Sequence, residues 1–290
     1  MGSFIKWTGG KNKLASYISS KFPSYIDYYF EPFLGAGSVF FELVKKRTIM
    51  NAFLSDSNKF LINTFLVVQT NPTRLIFELE KMSREYNSVV DKKSYFESVR
   101  SNFNHLISTI SASDLSVGNV ELASIFIFLN KTCFNGLYRV NKKGVFNSPF
   151  GKYSNPPILD SDLIMRCHYD LQNVYIQHRN YVDAIEKCLK CNDAYPTSKI
   201  CVYLDPPYYP SNKTSFVSYT SNQFSVSDHE ELSNYFHLMK KNNCFVLMTN
   251  SYADEIFELY KEDNLEKVVA NRSAGGGASS RKKVADLIIT

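Results

Sequence analysis

A five-residue apolar run, Ile200-Cys-Val-Tyr-Leu204, ends on Asp205-Pro206-Pro207-Tyr208. No other stretch of the chain restricts the fold so tightly. A short apolar run between polar neighbours predicts a buried strand. Prolines lack a backbone N–H and fix φ, so Pro206 and Pro207 cannot extend a central strand or enter a helix interior. The residue before a proline is pushed to extended backbone, which stiffens the chain at Asp205. The expectation is an α/β fold with a rigid elbow at a strand's C-terminal end, where open α/β sheets place their ligands. The elbow presents a carboxylate, a proline carbonyl and an aromatic ring together.

That trio suits one kind of chemistry. An amino group conjugated to a ring is a poor nucleophile, because its lone pair is delocalised. The Asp205 carboxylate and the Pro206 carbonyl can each accept one N–H and draw the nitrogen towards tetrahedral geometry. The Tyr208 face can stack on the ring. The alternative is a proline-rich turn with a solvated aspartate, so the rest of the chain has to discriminate.

The chain opens with Phe4-Ile-Lys6-Trp7-Thr-Gly9-Gly10-Lys11. Paired glycines let backbone approach a ligand closely, and Lys11 can meet a carboxylate; a tight turn with a core tryptophan is the alternative. A helix is predicted over residues 13–21. Residues 28–33 read as a strand carrying Glu31, Pro32 and Phe33. It runs into Gly35-Ala-Gly37-Ser38, which opens a helix ending near Lys46. Strand, glycine turn and helix start together form a site for a nucleotide-like ligand. The third glycine of the dinucleotide fingerprint is missing, so a pyrophosphate is not specifically indicated. A second strand over 49–55 ends at Asp56, 19 residues beyond Gly37. An acid at that place can grip a ribose hydroxyl, or serve as an ordinary helix cap.

Residues 57–113 change character, with apolar residues at helical spacing (Leu61, Phe65, Val68; Leu75, Leu79, Met82). Another apolar helix is expected over 121–129. An acid-free segment follows, with Lys131, Arg139, Lys142, Lys143 and Lys152, and Asn141-Lys-Lys-Gly144 reads as a hairpin tip. A second acid-free stretch carries Arg272, Arg281, Lys282 and Lys283. Against a whole-chain charge of +5, these nine cations leave the remainder net acidic. Basicity confined to patches is what a polyanion-binding surface requires. Cations on a hairpin can enter a nucleic-acid groove, with phosphate contacts giving salt-sensitive affinity and an arginine reading a guanine edge. Strands are predicted again at 173–177, 200–204, 244–248 and 283–289, with a Ser227 helix cap, a loop over 216–224 and a glycine loop at 273–280. Residues 1–56 and 157–290 are thus read as the catalytic domain and 57–156 as an inserted recognition domain.

Several classes are excluded as expectations. No run approaches the roughly 20 apolar residues of a membrane span, and the N-terminus lacks a signal-peptide pattern, so an intracellular protein is expected. Cys188-Leu-Lys-Cys191 has metal-knuckle spacing but no second pair follows, which favours reduced, spare cysteines and no metal.

Lys6-Trp-Thr-Gly-Gly-Lys11, Phe30-Glu-Pro-Phe-Leu-Gly-Ala-Gly-Ser38, Phe134-Asn-Gly-Leu-Tyr-Arg139, Phe146-Asn-Ser-Pro-Phe-Gly-Lys-Tyr153, Asp205-Pro-Pro-Tyr208 and Arg281-Lys-Lys283 occur in that order around an insertion. Together they resemble the Dam-type DNA adenine-N6 methyltransferases over nearly the whole chain. The resemblance implies a Rossmann-like sheet, mostly parallel with one antiparallel strand, carrying a helical recognition domain with a β-hairpin. It implies S-adenosyl-L-methionine as donor, S-adenosyl-L-homocysteine as product, and no metal. Trp7, Gly9, Gly10 and Lys11 would meet the methionine end. Glu31, Pro32, Phe33, Gly35, Gly37 and Ser38 would line the cofactor turn, and Asp56 would take the ribose. Asn180 and Tyr181 would edge the cofactor's adenine. Asp205, with Pro206 and Tyr208, would serve both the cofactor neighbourhood and a flipped target base.

For double-stranded DNA, the resemblance implies Lys6 reading a first guanine and Leu137, Arg139 and Pro149 reading later base pairs. Phe134 would enter the base stack beside Asn135, with Tyr153 nearby and Lys142, Arg272, Arg281 and Lys282 on the polyanion. GATC is the implied target. Phe134 stands where tyrosine is usual, and Thr132-Cys133 also depart from the family pattern. A monomer is expected, and a cognate restriction endonuclease is a partner the resemblance admits. The competing readings are cytosine-N4, protein-glutamine or RNA methylation, and a non-catalytic DNA-binding protein of the same fold.

Overall fold

The computed structural model describes residues 3–111, 115, 118–209, 224–270 and 284–290. Arg272, Arg281, Lys282, the glycine-rich 273–280 stretch and residues 216–223 of the predicted loop lie outside them. In chain order the first elements are α1 (Ala15–Ser20), β1 (Tyr25–Glu31), α2 (Ser38–Lys46), β2 (Thr48–Asp56), α3 (Lys59–Thr70), α4 (Pro72–Ser88) and α5 (Lys92–Thr109). Then come α6 (Val120–Thr132), α7 (Ser161–Asp170), β3 (Val174–His178), α8 (Tyr181–Ala194) and β4 (Ile200–Leu204). The chain closes with α9 (Val226–Lys241), β5 (Phe245–Ser251), α10 (Asp254–Leu259), β6 (Leu265–Ala270) and β7 (Val284–Ile289).

The strands follow the order β3-β2-β1-β4-β5-β7-β6. β1 pairs in parallel with β2 and β4, and β4 with β5. β7 runs against both β5 and β6, so it is the single reversed strand expected of the fold. Every residue of β4 is buried, as is β5 after its first residue. Covered on both faces, such strands need no polar alternation, which is why they read as plain apolar runs.

The chain divides into two compact units. A sheet unit comprises residues 13–34, 43–55 and 179–290. In it, Ile185 and Cys188 from α8 and Leu232, Phe236 and Met239 from α9 form one core with β4 and β5. A helical unit comprises residues 1–12, 35–42 and 56–178. Its axis is α6, buried at every position from Leu122 to Asn130 and packed by α3, α4 and α5. A helix apolar all round has to be central. The helix starts are set by side-chain caps: Asn58 accepts from Phe60 and Leu61, Asp91 from Lys93 and Ser94, and Asn119 from Leu122.

One cap is corrected. Ser225, not Ser227, starts α9: its side chain accepts from the Asp228 N–H while Asp228 takes the Ser225 N–H. The segment Ser225-Val-Ser-Asp-His-Glu offers two overlapping boxes, and the one closed by the shorter acid is used. The predicted hairpin closes at Asn141, which accepts from Gly144 and donates to Val145. Beyond it the arms make two antiparallel bridges, Val140 to Phe146 and Cys133 to Phe150.

Candidate active site

In the sheet unit, β4 delivers Asp205 beside the end of β5. The register pairs Leu204 with Met248, so the next residues, Asp205 and Thr249, fall level. Thr249 Oγ1 donates to Asp205 Oδ1 at 2.9 Å, and the Tyr203 hydroxyl lies 2.9 Å from the same Oγ1. A threonine has one hydrogen. Since Thr249 gives it to Asp205, Tyr203 donates to Thr249. Burial, and then the Asp205 charge, hold the Tyr203 hydroxyl well above its ordinary range, so it stays protonated for that role.

The elbow is fastened beyond Asp205 as well. Tyr209 N–H donates to Asn250 Oδ1 at 3.3 Å, and the Ser251 hydroxyl donates to the Tyr209 carbonyl at 2.8 Å. Pro206 is buried, Pro207 exposed and Tyr208 half-buried. At the end of neighbouring β1, buried Glu31 accepts from the Tyr29 hydroxyl at 2.8 Å. Phe33 stacks on Tyr181 with centroids 5.4 Å apart and planes at 21°, and Phe224 lies tilted against Tyr181 at 5.3 Å. Tyr181 donates to Glu231, while the Asn180 side chain caps α8 by accepting from Asp183 N–H at 2.8 Å. His229 is 2 % exposed, with Phe224 4.7 Å from its ring, and burial pushes its pKa down to about 4.

The helical unit holds the glycine turns. Asp56 Oδ2 accepts from Gly35 N–H and Oδ1 from Asn58 N–H, each at 2.9 Å. Burial raises the Asp56 pKa, and these N–H groups work against that rise. Gly35 has φ +49°, and a Cβ there would stand 2.9 Å from Trp7 Cδ1; only glycine admits both. Gly37 also has positive φ, and Ser38 donates to Asn12 at 2.8 Å. Buried Lys11 donates to the Gly9 carbonyl at 2.8 Å, and Gly10 N–H closes the turn on Trp7. Backbone N–H groups, the half-buried Asp56 carboxylate and the buried Lys11 ammonium stand in one unit, a set of donors and acceptors suited to a charged amino acid joined to a nucleoside. Among the described residues, no cluster of three or more histidine, cysteine or acidic groups is placed to hold a metal, and all six cysteines are unbridged.

The same unit gathers Lys6, Phe134, Asn135, Leu137, Arg139, Pro149 and Tyr153. The pivot is a residue the sequence reading assigned no role, Asn130. Its Oδ1 accepts Lys6 N–H at 2.9 Å, and its amide donates to the Lys6 and Gly136 carbonyls at 2.8 and 3.0 Å. One buried side chain thus joins the N-terminal segment to the turn after α6. Gly136, at φ +65°, has no room for a Cβ, which would sit 2.8 Å from that of Lys6. The Lys6 ammonium lies over the Tyr153 ring at 5.3 Å, and Asn135 N–H donates to the Tyr153 hydroxyl at 2.9 Å. Phe134 is 46 % exposed although aromatic. Arg139 is braced by Asn147, which accepts from Nε at 2.8 Å and Nη2 at 2.9 Å. Three of its five N–H donors remain for another partner. Lys142 is exposed at the turn. Lys131 is half-buried; desolvation, and then the Lys6 charge, push its pKa down to about 8.

These features were compared with known proteins. A family model described as "D12 class N6 adenine-specific DNA methyltransferase" matches residues 7–274. The chain belongs to that family. It is 37% identical to the Type II methyltransferase M.MjaIII of Methanocaldococcus jannaschii, over 96% of this chain and 94% of the relative. It is 35% identical to the Type II methyltransferase M1.LlaDCHI of Lactococcus lactis subsp. cremoris, over 99% and 94%. It is 30% identical to a DNA adenine methylase of Vibrio cholerae, again over 99% and 94%. This D12-class enzyme has no helix, among the described residues, long and apolar enough to cross a membrane. The methyltransferase's elbow, its glycine turns and, apart from Lys6, its Asn130-centred cluster lie within the matched span.

Proposed function

We propose that this enzyme transfers a methyl group from S-adenosyl-L-methionine to N6 of an adenine flipped out of duplex DNA, at GATC. The observation that carries the reading is the braced elbow: Asp205 at the tip of a fully buried strand, its Oδ1 held by Thr249, with the Pro206 carbonyl next in the chain. When bound, S-adenosyl-L-methionine supplies an electrophilic sulfonium methyl. Trp7, the Gly9-Gly10-Lys11 turn and Gly35 to Ser38 would hold the donor, with Asp56 on the ribose. Both Asp56 oxygens already accept a backbone N–H, so a ribose hydroxyl uses their remaining lone pairs. Glu31, Pro32, Phe33, Asn180 and Tyr181 would complete that binding set.

Asp205 and the Pro206 carbonyl accept the two N6 hydrogens, which turns the nitrogen lone pair outward, and Tyr208 stacks on the base. As N6 bonds to the methyl, the sulfur would keep the C–S electron pair and leave as the neutral thioether of S-adenosyl-L-homocysteine, and the extra N6 proton would then pass to solvent. Orientation and fixed dipoles carry the rate, because the donor is already activated. Flipping costs a few kcal/mol of unstacking, offset by the pocket and by Phe134 filling the vacated stack. Lys6 reads the first guanine; Leu137, Arg139 and Pro149 read the later pairs, beside Asn135 and Tyr153. Lys142, Arg272, Arg281 and Lys282 meet phosphates. In this reading residues 57–156 form the recognition domain and the enzyme acts as a monomer inside the cell, with a cognate endonuclease as an admissible partner.

Tritium transfer from labelled donor to duplexes varying one base of GATC tests the site. Nucleoside analysis of the product tests the atom. Label on N6-methyladenine from GATC alone is expected. Label on cytosine, on RNA only, or on every duplex equally would overturn the reading.

A further inference from the structure

The hairpin arm that braces Arg139 is itself held from outside the hairpin. Asn147 N–H donates to the Arg139 carbonyl at 2.9 Å, and Asn141 N–H to the Val145 carbonyl at 2.9 Å. These bonds flank the Val140–Phe146 bridge, which makes it the non-hydrogen-bonded kind of antiparallel pair. The N–H and C=O of Phe146 therefore point away from the other arm, and a strand edge leaves such groups to be satisfied elsewhere. Asn104 of α5 satisfies both. Its Oδ1 accepts Phe146 N–H at 2.8 Å, and its amide donates to the Phe146 carbonyl at 3.0 Å. One side-chain amide takes the place of a third strand. Arg100 stands one turn earlier on the same helix, and its Nη1 donates to the Ser148 carbonyl at 3.2 Å. Side chains four apart share a helix face, so α5 grips the arm on either side of Asn147.

Asn147 in turn clasps the arginine. Its Oδ1 and its carbonyl take Arg139 Nε and Nη2, the side-on edge of the guanidinium. The end-on edge, Nη1 with the outer N–H of Nη2, is the one turned to another partner. A planar fork reads O6 and N7 of a guanine only when it is aimed at both. A path of hydrogen bonds thus runs from Asn104 through the Phe146 backbone and Asn147 to that fork, all within the helical unit.

We infer that Asn104 is a positioning residue for sequence selection: it fixes the arm that aims Arg139, and so sets how sharply the enzyme rejects a wrong base at the pair Arg139 reads. This rests on the function proposed above. Asn104 acts through Phe146 and Asn147, not by touching a base. Without its amide the arm keeps its bonds to the rest of the hairpin but loses its outer anchor, and Asn147 carries the guanidinium with it as the arm shifts.

The experiment measures kcat/KM for methyl transfer to GATC and to duplexes altered at one base pair. Arg139→Ala first identifies its pair, as the position at which discrimination falls. At that pair Asn104→Ala should lower discrimination by about three- to tenfold. Selection of the first guanine, assigned to Lys6, should stay within about twofold of wild type, as for an independent site. Asn104→Asp is isosteric, keeps the acceptor for Phe146 N–H and sets an oxygen against the Phe146 carbonyl; it should show the same pattern with the packing of α5 preserved. In the double variant Asn104→Ala, Arg139→Ala, the loss should equal that of Arg139→Ala alone, because residues on one path do not add. A general loosening of the fold would instead lower discrimination at every pair, or add to the Arg139 loss. An even loss over the whole site, full additivity in the double variant, or no loss in either Asn104 variant would overturn the inference and leave the proposed function standing. A wild type that transfers no methyl group to DNA would overturn both. An Arg139→Ala enzyme that discriminates as the wild type does would overturn the assignment of Arg139, and the inference with it.

Discussion

Removing the Thr249 hydroxyl should slow methyl transfer more than it weakens binding. In Thr249→Val the side chain keeps its shape but Asp205 Oδ1 loses its donor at 2.9 Å, and the buried Tyr203 hydroxyl loses its acceptor. A hydrogen bond to a charged group is worth about 1.5–3 kcal/mol. Expressed as orientation of the acceptor carboxylate, that predicts a fall in kcat of about 10- to 100-fold, with KM for DNA nearly unchanged. The orphaned Tyr203 hydroxyl should cost about 1–3 kcal/mol of stability as well, lowering Tm by about 2–4 °C per kcal/mol in a chain of this size. The double variant Tyr203→Phe, Thr249→Val separates the two effects. With both partners apolar, stability should return towards wild type; without the Thr249 hydroxyl on Asp205, the rate should stay low. Thr249→Ser should restore the rate. Single-turnover transfer and thermal melts on the four proteins decide it. A rate that recovers along with stability in the double variant would refute the argument that Thr249 acts through Asp205.

Arg139→Ala should lower discrimination among GATC duplexes altered by one base, by the ~1–3 kcal/mol of a bidentate base contact; transfer rates on that panel check it, and unchanged ratios would count against the assignment. Gly136→Ala puts a Cβ 2.8 Å from that of Lys6 at a φ of +65°, so it should cost about 1–3 kcal/mol of stability and blur selection of the first guanine more than of the fourth pair. His229, pushed down to about 4 by burial from the ordinary 6.5, stays neutral in the fold while the unfolded chain takes up a proton. Its contribution is present above pH 6.5 and is lost as pH falls towards 4, by about 2–3 kcal/mol. Urea unfolding of wild type and His229→Phe between pH 7 and 4 should show a steeper loss in the wild type; parallel curves would contradict it.

What the sequence revealed was whatever lies contiguous along the chain. The apolar run into Asp205, the strand into the Gly35 turn and the strand ending at Asp56 each carry their local physics with them, and each stands in the fold as expected. The polar braces were hidden because register and long-range packing create them. Thr249 meets Asp205 only because β4 and β5 pair with Leu204 level with Met248. Asn130 reaches Lys6 across 124 residues of chain. A weak signal existed for both: a Thr-Asn pair closing an apolar strand, and an asparagine at the end of a helix otherwise apolar. α7, α8 and α10 went unread, although Ile164 and Cys167 in α7 and Ala184, Ile185 and Cys188 in α8 are buried at helical spacing, and β6 (Leu-Glu-Lys-Val-Val-Ala) alternates too poorly to announce an edge strand. Ser225 was displaced to Ser227 by two overlapping capping boxes that start two residues apart.

The central claim is that the Asp205 carboxylate and the Pro206 carbonyl together make an adenine N6 nucleophilic. Single-turnover methyl transfer by Asp205→Ala, with donor and duplex binding measured on the same protein, tests it most directly. The account predicts transfer reduced by about 10²–10³ or more, with both ligands bound within a few-fold of wild type. Transfer at the wild-type rate would contradict it.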